Sequence, residues 1–232
     1  MFIYFIESME LNKEFRRNLD SFVERLTRDF GFPQETLVRL SKHLTENIVL
    51  VEKVERYSQL QVLTHCYMQL ICAGRQNLAG YSVDVEREYK ANGFPHDVLA
   101  VKGGEVDATE VETLYIDPYY SYEQEKYALA RVVSKTARGS PYVGKFSIAI
   151  DTLHRIPVYE FMLIPPGKRR FETNRQLLEI CKPYYRNPPM TEELMSRAHL
   201  DKIRVVSIDD ATYEEIDPRL PSEYVELVGS VA

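Results

Sequence analysis

The chain is 232 residues long and 44% hydrophobic, which excludes wholesale disorder and allows one sizeable core or two small ones. The net charge of −6 excludes nucleic-acid binding through the field of the whole molecule, so DNA binding would need a local basic face. The three cysteines have neither zinc-site spacing nor the even count of a disulfide framework, and we therefore expect a cytoplasmic location.

The first six residues are apolar, but they are far fewer than a membrane span needs and lack the basic flank of a signal peptide. We expect them to form a strand or a packed extension, and we expect no membrane partner. Apolar residues at spacings of three and four then predict helices at about 10–30, 34–54 and 57–76. Residues 1–56 are therefore interpreted as a helical extension that packs on the rest of the chain.

The hydrophobic period changes to two in the next segment. Alternation over residues 81–86 predicts a first strand, and the apolar run 98–101 predicts a buried second strand. Residues 106–113 alternate again and predict a third strand, while Gly103-Gly104 predicts a tight hairpin turn between the second and third strands.

Ser121 and Gln124 form a capping-box pattern that predicts the start of a helix ending near residue 137. A fourth strand is predicted at 146–150, so residues 57–150 have the order helix, three strands, helix, strand, and we assign them to one core. Residues 151–232 are expected to form an α/β extension packed on that core as one globular unit. Its predicted elements are a strand at 158–164, helices at 172–181 and 191–200, and a strand at 203–208.

Three acidic residues are expected to converge at the hairpin. Asp97 opens the second strand, while Glu110 and Glu112 lie two positions apart on the third strand and so share a face. Clustered carboxylate oxygens are the ligands of the hard divalent cations that assist phosphodiester hydrolysis. The alternative is a hairpin with exposed charges, but like charges this close cost stability unless a cation compensates, so we favour a site.

The segment from Pro95 to Thr113 resembles the PD-(D/E)xK nuclease superfamily, whose signature is an Asp, a hairpin and then (Asp or Glu)-x-Lys. The resemblance implies a restriction-endonuclease-like α/β fold with a mixed central sheet flanked by helices. The thirteen-residue offset from Asp97 to Glu110 (110 minus 97) and the Gly80-Tyr81 pair are similar to the archaeal Holliday junction resolvases, and small proteins of archaeal viruses are a further resemblance.

The resemblance implies that Asp97, Glu110 and the backbone carbonyl of Val111 bind Mg²⁺ or Mn²⁺. Glu112 departs from the motif, because it stands where the family usually has the catalytic lysine. It is interpreted as an extra metal ligand or proton acceptor, and Lys126 on the following helix is expected to reach the site as the missing cation. The second possibility is that catalysis has been lost.

Family members often place a further Glu on the first core helix, where this chain has Gln69. We expect Gln69 either to coordinate weakly or hold a water, or to be a polar residue in a helix interface. His65, one turn earlier, is expected to be structural.

Two basic groups are candidate DNA contacts. Arg131, Lys135 and Arg138 follow i, i+4, i+7 spacing on one helix, and Lys168-Arg169-Arg170 follow a Pro-Pro-Gly turn. The alternative for both groups is simple solvation of a charged surface.

From these features we expect a divalent-metal-dependent DNA endonuclease, a phosphodiester hydrolase acting on duplex, branched or Holliday-junction DNA. Cutting both strands of a symmetric junction needs two sites, so a homodimer is expected. One alternative is a catalytically inactive DNA-binding or assembly module with a nuclease fold, for which the missing lysine is the main argument. Another is a structural protein whose motif resemblance is accidental.

Overall fold

A computed structural model describes residues 2–48, 59–89, 94–114, 116, 118–185 and 189–229. Within these ranges the α-helices are α1 (Phe2–Phe30), α2 (Gln34–Ile48), α3 (Gln59–Leu78), α4 (Gln124–Gly139), α5 (Phe171–Cys181) and α6 (Glu192–Arg197). The strands are β1 (Ser82–Glu88), β2 (Pro95–Lys102), β3 (Glu105–Val111), β4 (Lys145–Asp151), β5 (Ile156–Tyr159), β6 (Lys202–Ser207), β7 (Thr212–Ile216) and β8 (Val225–Val228).

Six strands form a central sheet in the order β1-β2-β3-β4-β6-β7. The pairs β1–β2, β2–β3 and β6–β7 are antiparallel, whereas β3–β4 and β4–β6 are parallel. A separate parallel pair joins β5 to β8. The prediction of an α/β protein with a mixed central sheet flanked by helices is confirmed, and α3 to β4 follow the predicted order of helix, three strands, helix, strand.

The sheet separates two hydrophobic cores, because successive strand side chains point to opposite faces. On one face α1, α2 and α3 pack against residues such as Val98. On the other face α4, α5 and α6 pack against residues such as Leu99. All three cysteines are buried and none forms a disulfide, with Cys66 and Cys72 in the first core and Cys181 in the second.

The C-terminal segment extends the central sheet. Strand β6 pairs with β4 in parallel, and β7 completes that edge. The buried side chain of Arg204 on β6 contacts β3, donating to Asp107 Oδ2 at 2.7 Å and to Thr109. It also donates to Glu215 Oε1 on β7 at 3.0 Å. These bonds connect strands from both sides of β4.

Several predicted boundaries were wrong. The backbone is helical from Phe2, so residues 2–6 do not form a strand. Helix α4 begins at Gln124, after a 3₁₀ segment at Pro118–Glu123, and its N-cap Glu123 makes no side-chain capping bond. The strand predicted at 158–164 is β5 followed by a 3₁₀ turn.

Strands β7 and β8 were not predicted, and the predicted helical residues 49–54 and 57–58 lie outside the described ranges. β7 reads Thr-Tyr-Glu-Glu-Ile and has no buried residue, which removes the apolar alternation that identifies a strand. Among the described helices, none is long and apolar enough to cross a membrane.

We expect Gly74→Ala to destabilise the fold by about 1–2 kcal/mol, because a Cβ at this helical position would collide with the ring of Phe32. The clash should outweigh the better helix propensity of alanine. Gly167→Ala is the matched control, since a Cβ there meets nothing within 4 Å, and its stability should stay within about 1 kcal/mol of wild type. Denaturant unfolding measures both, and a Gly74→Ala chain as stable as wild type would show that the Phe32 ring can move aside.

Candidate metal-binding and catalytic site

Three neighbouring strands bring acidic side chains to one level of the sheet. The register that pairs Val98 with Thr109 puts Asp97 opposite Glu110 one step further along β2 and β3. The register of β1 with β2 likewise puts Glu86 opposite Asp97. The two-glycine turn between β2 and β3 has φ of 58° and 85°, a left-handed conformation that keeps the hairpin tight and so fixes this register.

Hydrogen bonds tie Asp97 and Glu110 to the neighbouring strand. The Val111 backbone N–H donates to Asp97 Oδ2 at 2.7 Å, and the Asp97 N–H points to Glu110 Oε1 at 3.4 Å. Asp97 is 8% exposed and Glu110 is 3% exposed. Both carboxylates are therefore held in defined positions away from bulk water.

The ammonium group of Lys135, on α4, lies among the oxygens of the hairpin. Its Nζ donates to the backbone carbonyl of Val111 at 2.5 Å and lies 3.4 Å from Asp97 Oδ2. It is 3.8 Å from Glu110 Oε2 and 3.8 Å from Glu112 Oε2. The ammonium of Lys135 thus contacts oxygens of Asp97, Glu110 and Val111, the groups predicted to bind a metal. It also contacts Glu112.

Arg131, one turn earlier on α4, fixes Glu112. Its Nη2 lies 2.8 Å from Glu112 Oε1, and its Nε donates to Glu112 Oε2 at 3.2 Å, a bidentate pair. The N–H of Leu114 also donates to Glu112 Oε1 at 2.8 Å, and Leu114 itself has a positive φ of 49°. The chain therefore turns sharply straight after the carboxylate.

Helix α3 reaches Asp97 from the other core. Gln69 Nε2 donates to Glu86 Oε1 at 2.9 Å and to the Asp97 carbonyl at 3.2 Å. His65 Nε2 lies 3.2 Å from Asp97 Oδ1. The amide oxygen of Gln69 is buried without a hydrogen-bond partner in the described structure. Gln69 is thus part of the cluster, and His65, expected to be structural, contacts the central carboxylate.

Glu86 adopts a strained backbone conformation. Its φ of 51° is rare for a residue with a side chain and costs roughly 1–2 kcal/mol. One ligand atom each from His65, Glu86 and Asp97 lie within 4.8 Å of one another. Asp97 therefore offers one oxygen to this group and the other to the group around Lys135.

His96, next to Asp97 in sequence, is fully buried against Glu110. Its Nδ1 lies 3.3 Å from Glu110 Oε1, and its Nε2 has no partner in the described structure. Burial lowers the pKa of His96 to about 4, so the ring is neutral near pH 7 and can donate one N–H to the carboxylate.

The charges in the cluster are strongly coupled. Burial raises the pKa of Asp97, but the charge of Lys135 and the contact with His65 outweigh it and hold that pKa below its usual range. Burial and the charge of Asp97 raise the pKa of Glu110 well above its usual range. Burial would lower the pKa of Lys135, but the surrounding carboxylates raise it, so Lys135 stays protonated.

The donor set suits a divalent cation. With all groups ionised, four carboxylates face two cationic side chains, Lys135 and Arg131, and four minus two leaves two negative charges. Carboxylate and carbonyl oxygens are the ligands that Mg²⁺ and Mn²⁺ prefer. The unpartnered oxygen of Gln69 is one more buried acceptor, on an amide whose Nε2 lies 3.4 Å from Asp97 Oδ1.

Lys126 does not lie at the carboxylates, although the sequence assigned it there. Its side chain is 73% exposed and pairs with Glu123 at 3.6 Å. Lys126 precedes Lys135 by nine residues on α4. Nine residues are two and a half turns, about 13 Å along the helix, so the two lysines point to opposite sides.

The three cations predicted to share one face of the helix do so, but that face is turned towards the protein interior. Arg131 and Lys135 contact the carboxylates, and the guanidinium of Arg138 lies 5.3 Å from the ring centroid of Tyr185. Arg169 is a structural residue, since it donates to three backbone carbonyls, those of Met162, Ile164 and Met195. Lys168 and Arg170 are exposed, so of the six cations proposed to contact DNA, these two remain at the surface.

The contacts of Glu86, His96 and Lys135 with the acidic cluster were not predicted from the sequence. Glu86 looked like the polar half of an alternating strand, and its position opposite Asp97 follows only from strand pairing. Lys135 carried a weak signal, because the apolar residues Val132, Val133 and Ala137 flank it on the predicted helix.

Comparison of the chain with protein-family models, with curated proteins and with solved structures finds no match in any of the three.

We expect Glu110→Gln to stabilise the metal-free fold by roughly 1–2 kcal/mol at pH 7, because it removes one of four crowded carboxylates and keeps the side-chain shape. Glu105→Gln is the matched control, because Glu105 is an exposed residue on the same strand that pairs with Lys145. It should be neutral or slightly destabilising. Thermal unfolding in EDTA measures both, and a marked loss of stability in Glu110→Gln would show that its ionised form is already fully compensated.

Proposed function

We propose that the chain is a divalent-metal-dependent DNA endonuclease of the PD-(D/E)xK type. The observation that carries this proposal is the convergence of Asp97, Glu110 and Lys135, with the Val111 carbonyl between them. Two acids, one carbonyl and one lysine are the groups that the motif brings together. Here the lysine comes from a helix and not from the strand.

The order of elements supports the same proposal. From α3 to β4 the chain runs helix, three strands, helix, strand, with β3 and β4 parallel and the acids where β2 and β3 meet α4. We infer a restriction-endonuclease-like core on this basis. Because a fold alone does not define an activity, the proposal depends on the side chains at the site.

Lys135 is inferred to replace the strand lysine of the motif. Glu112 occupies the motif position, and its bidentate pair with Arg131 keeps its carboxylate fixed beside the ammonium of Lys135. The pair also offsets the negative charge that Glu112 adds. Lys135 on α4 can therefore do what the lysine of the motif does in the family, although the motif position itself holds Glu112.

In the proposed reaction Asp97, Glu110 and the Val111 carbonyl would hold Mg²⁺ or Mn²⁺. When bound, such a metal would polarise the phosphate and lower the pKa of water. Lys135 stabilises the negative charge that develops on the phosphate oxygens, and Glu112 accepts a proton or orients the attacking water. Gln69 and His65 position Asp97 from the α3 side.

Branched DNA as substrate and a homodimer are further parts of the proposal. A symmetric junction has two strands to cut, so a two-fold dimer would supply two equivalent sites. The exposed cations Lys168 and Arg170 are the remaining candidates for phosphate contacts in the predicted loop.

A catalytically silent DNA-binding or assembly module is the second candidate, and one observation favours it. The ammonium of Lys135 lies within 4 Å of the oxygens that would bind the metal and is 2.5 Å from the Val111 carbonyl. The ammonium group of a lysine in that position can permanently take the place of a metal ion. An active enzyme requires Lys135 to move aside when the metal binds.

For an active enzyme, we expect Asp97→Asn, Glu110→Gln and Lys135→Met each to lower DNA cleavage by about a hundredfold or more, because each removes a group next to the reacting phosphate. Lys126→Met is the matched control on the same helix, and it should keep wild-type activity because Lys126 is exposed and far from the acids. The assay uses labelled four-way junction, duplex and single-stranded DNA with Mg²⁺, Mn²⁺ or EDTA. Cleavage that survives Asp97→Asn would reject this site.

A metal-binding measurement separates the two candidates without any cleavage. If Lys135 moves aside, Mn²⁺ at about a hundred times its Kd should stabilise the wild-type fold by about 3 kcal/mol, and EDTA should reverse the effect. If Lys135 is a permanent substitute, Mn²⁺ should leave the wild-type unfolding temperature unchanged and raise that of Lys135→Met. Thermal unfolding of both chains with and without Mn²⁺ decides between these results.

A further inference from the structure

Five tyrosines lie around the start of α4, close to Arg131, and we call them the tyrosine platform. Its members are Tyr119, Tyr120 and Tyr122 in the 3₁₀ segment, Tyr127 on α4, and Tyr184 after α5. Tyr120 stacks on Tyr127 with ring centroids 4.5 Å apart and an interplanar angle of 22°. Tyr119 and Tyr184 make edge contacts with Tyr120 at 5.0 and 5.1 Å. These contacts join four of the five rings, and Tyr122 lies in the same 3₁₀ segment.

The outer rings of the platform face solvent. Tyr119 is 82% exposed and Tyr122 is 96% exposed, whereas Tyr120, Tyr127 and Tyr184 are partly buried beneath them. The hydroxyl of Tyr184 donates to Glu123 Oε2 at 2.8 Å, which fixes that ring to the 3₁₀ segment. Tyr119 therefore contacts the stacked inner rings, Tyr122 is exposed in the same segment, and both exposed rings are accessible to a ligand.

The platform is continuous with the proposed active site. The guanidinium of Arg131 lies 5.8 Å from the ring centroid of Tyr127, and the same guanidinium pairs with Glu112. A DNA strand whose phosphate lies at the carboxylates would thus have its neighbouring nucleotides close to the tyrosines.

We propose that the tyrosine platform binds unpaired bases of the DNA substrate by stacking. Aromatic side chains stack on bases without sequence preference, because every base presents a π-face. Bases in an intact duplex are already stacked on each other, so the platform would select DNA with unpaired nucleotides. The inference rests on the proposed endonuclease function and narrows its substrate to DNA with unpaired nucleotides next to the cut.

Binding of labelled single-stranded DNA in EDTA tests the platform without cleavage. The double variant Tyr119→Ala, Tyr122→Ala should lose roughly fivefold to a hundredfold or more in affinity, because one or two bases lose a stacking partner. Affinity for blunt duplex should change much less. Tyr142→Ala is the matched control, since Tyr142 is also exposed but follows the opposite end of α4 and packs on Arg197.

Tyr122→Trp gives a direct signal of stacking. The chain has no tryptophan, so this variant contains a single fluorescent indole at the most exposed ring of the platform. Single-stranded DNA should quench its emission, while duplex should not, and Tyr122→Phe should retain wild-type affinity because the ring is kept. Because Tyr122 is exposed, both substitutions at this position should leave folding unchanged.

The two proposals fail in different ways. Cleavage that needs Asp97, together with unchanged single-strand affinity in the double tyrosine variant, would overturn the platform and leave the nuclease intact. Loss of single-strand affinity in that variant without cleavage by wild type in any metal would support the platform and reject the nuclease. If the tyrosines serve self-association or a protein partner, DNA affinity will not depend on them, and that result also overturns the platform.

Discussion

The burial of several carboxylates beside one ammonium group is the constraint on which the rest of this structure depends. Lys135 comes from the helix layer and the acids from the sheet, so the electrostatic balance holds only while α4 stays docked on β2 and β3. Arg131 adds a second such contact through Glu112. Assembly of the candidate site and packing of the second core are therefore a single event, because neither charge set is stable in the interior alone.

Asp97 connects the two halves of the molecule. One of its oxygens faces His65 from α3, and the other faces Val111 and Lys135. Any change in how the N-terminal helices pack on the sheet can reach the acids through this side chain. Glu86, whose backbone is strained, also contacts α3 through Gln69. Backbone strain beside a cluster of charges is typical of a functional position.

The part of the site that local sequence determines could be predicted. A two-glycine hairpin fixes the register of β2 and β3, so the pairing of Asp97 with Glu110 follows from neighbouring residues alone. Lys126 was expected at the acids because it lies about one turn beyond the apparent capping box at Ser121, but the N-cap is Glu123, two residues later, and Lys126 is exposed. The order of elements followed from hydrophobic period, whereas β7 is a polar edge strand that only its pairing with β6 defines.

The buried thiols give each face of the sheet its own chemical reporter. Burial raises the pKa of Cys72 to about 12 and that of Cys181 to about 12, so both remain protonated and poorly reactive while their cores are closed. Cys72 belongs to the layer of α1 to α3, and Cys181 to the layer of α4 to α6. The rate at which an alkylating reagent labels each thiol therefore reports local opening of the layer that holds it, with no need for an introduced cysteine. Comparing the two rates distinguishes stepwise from concerted unfolding.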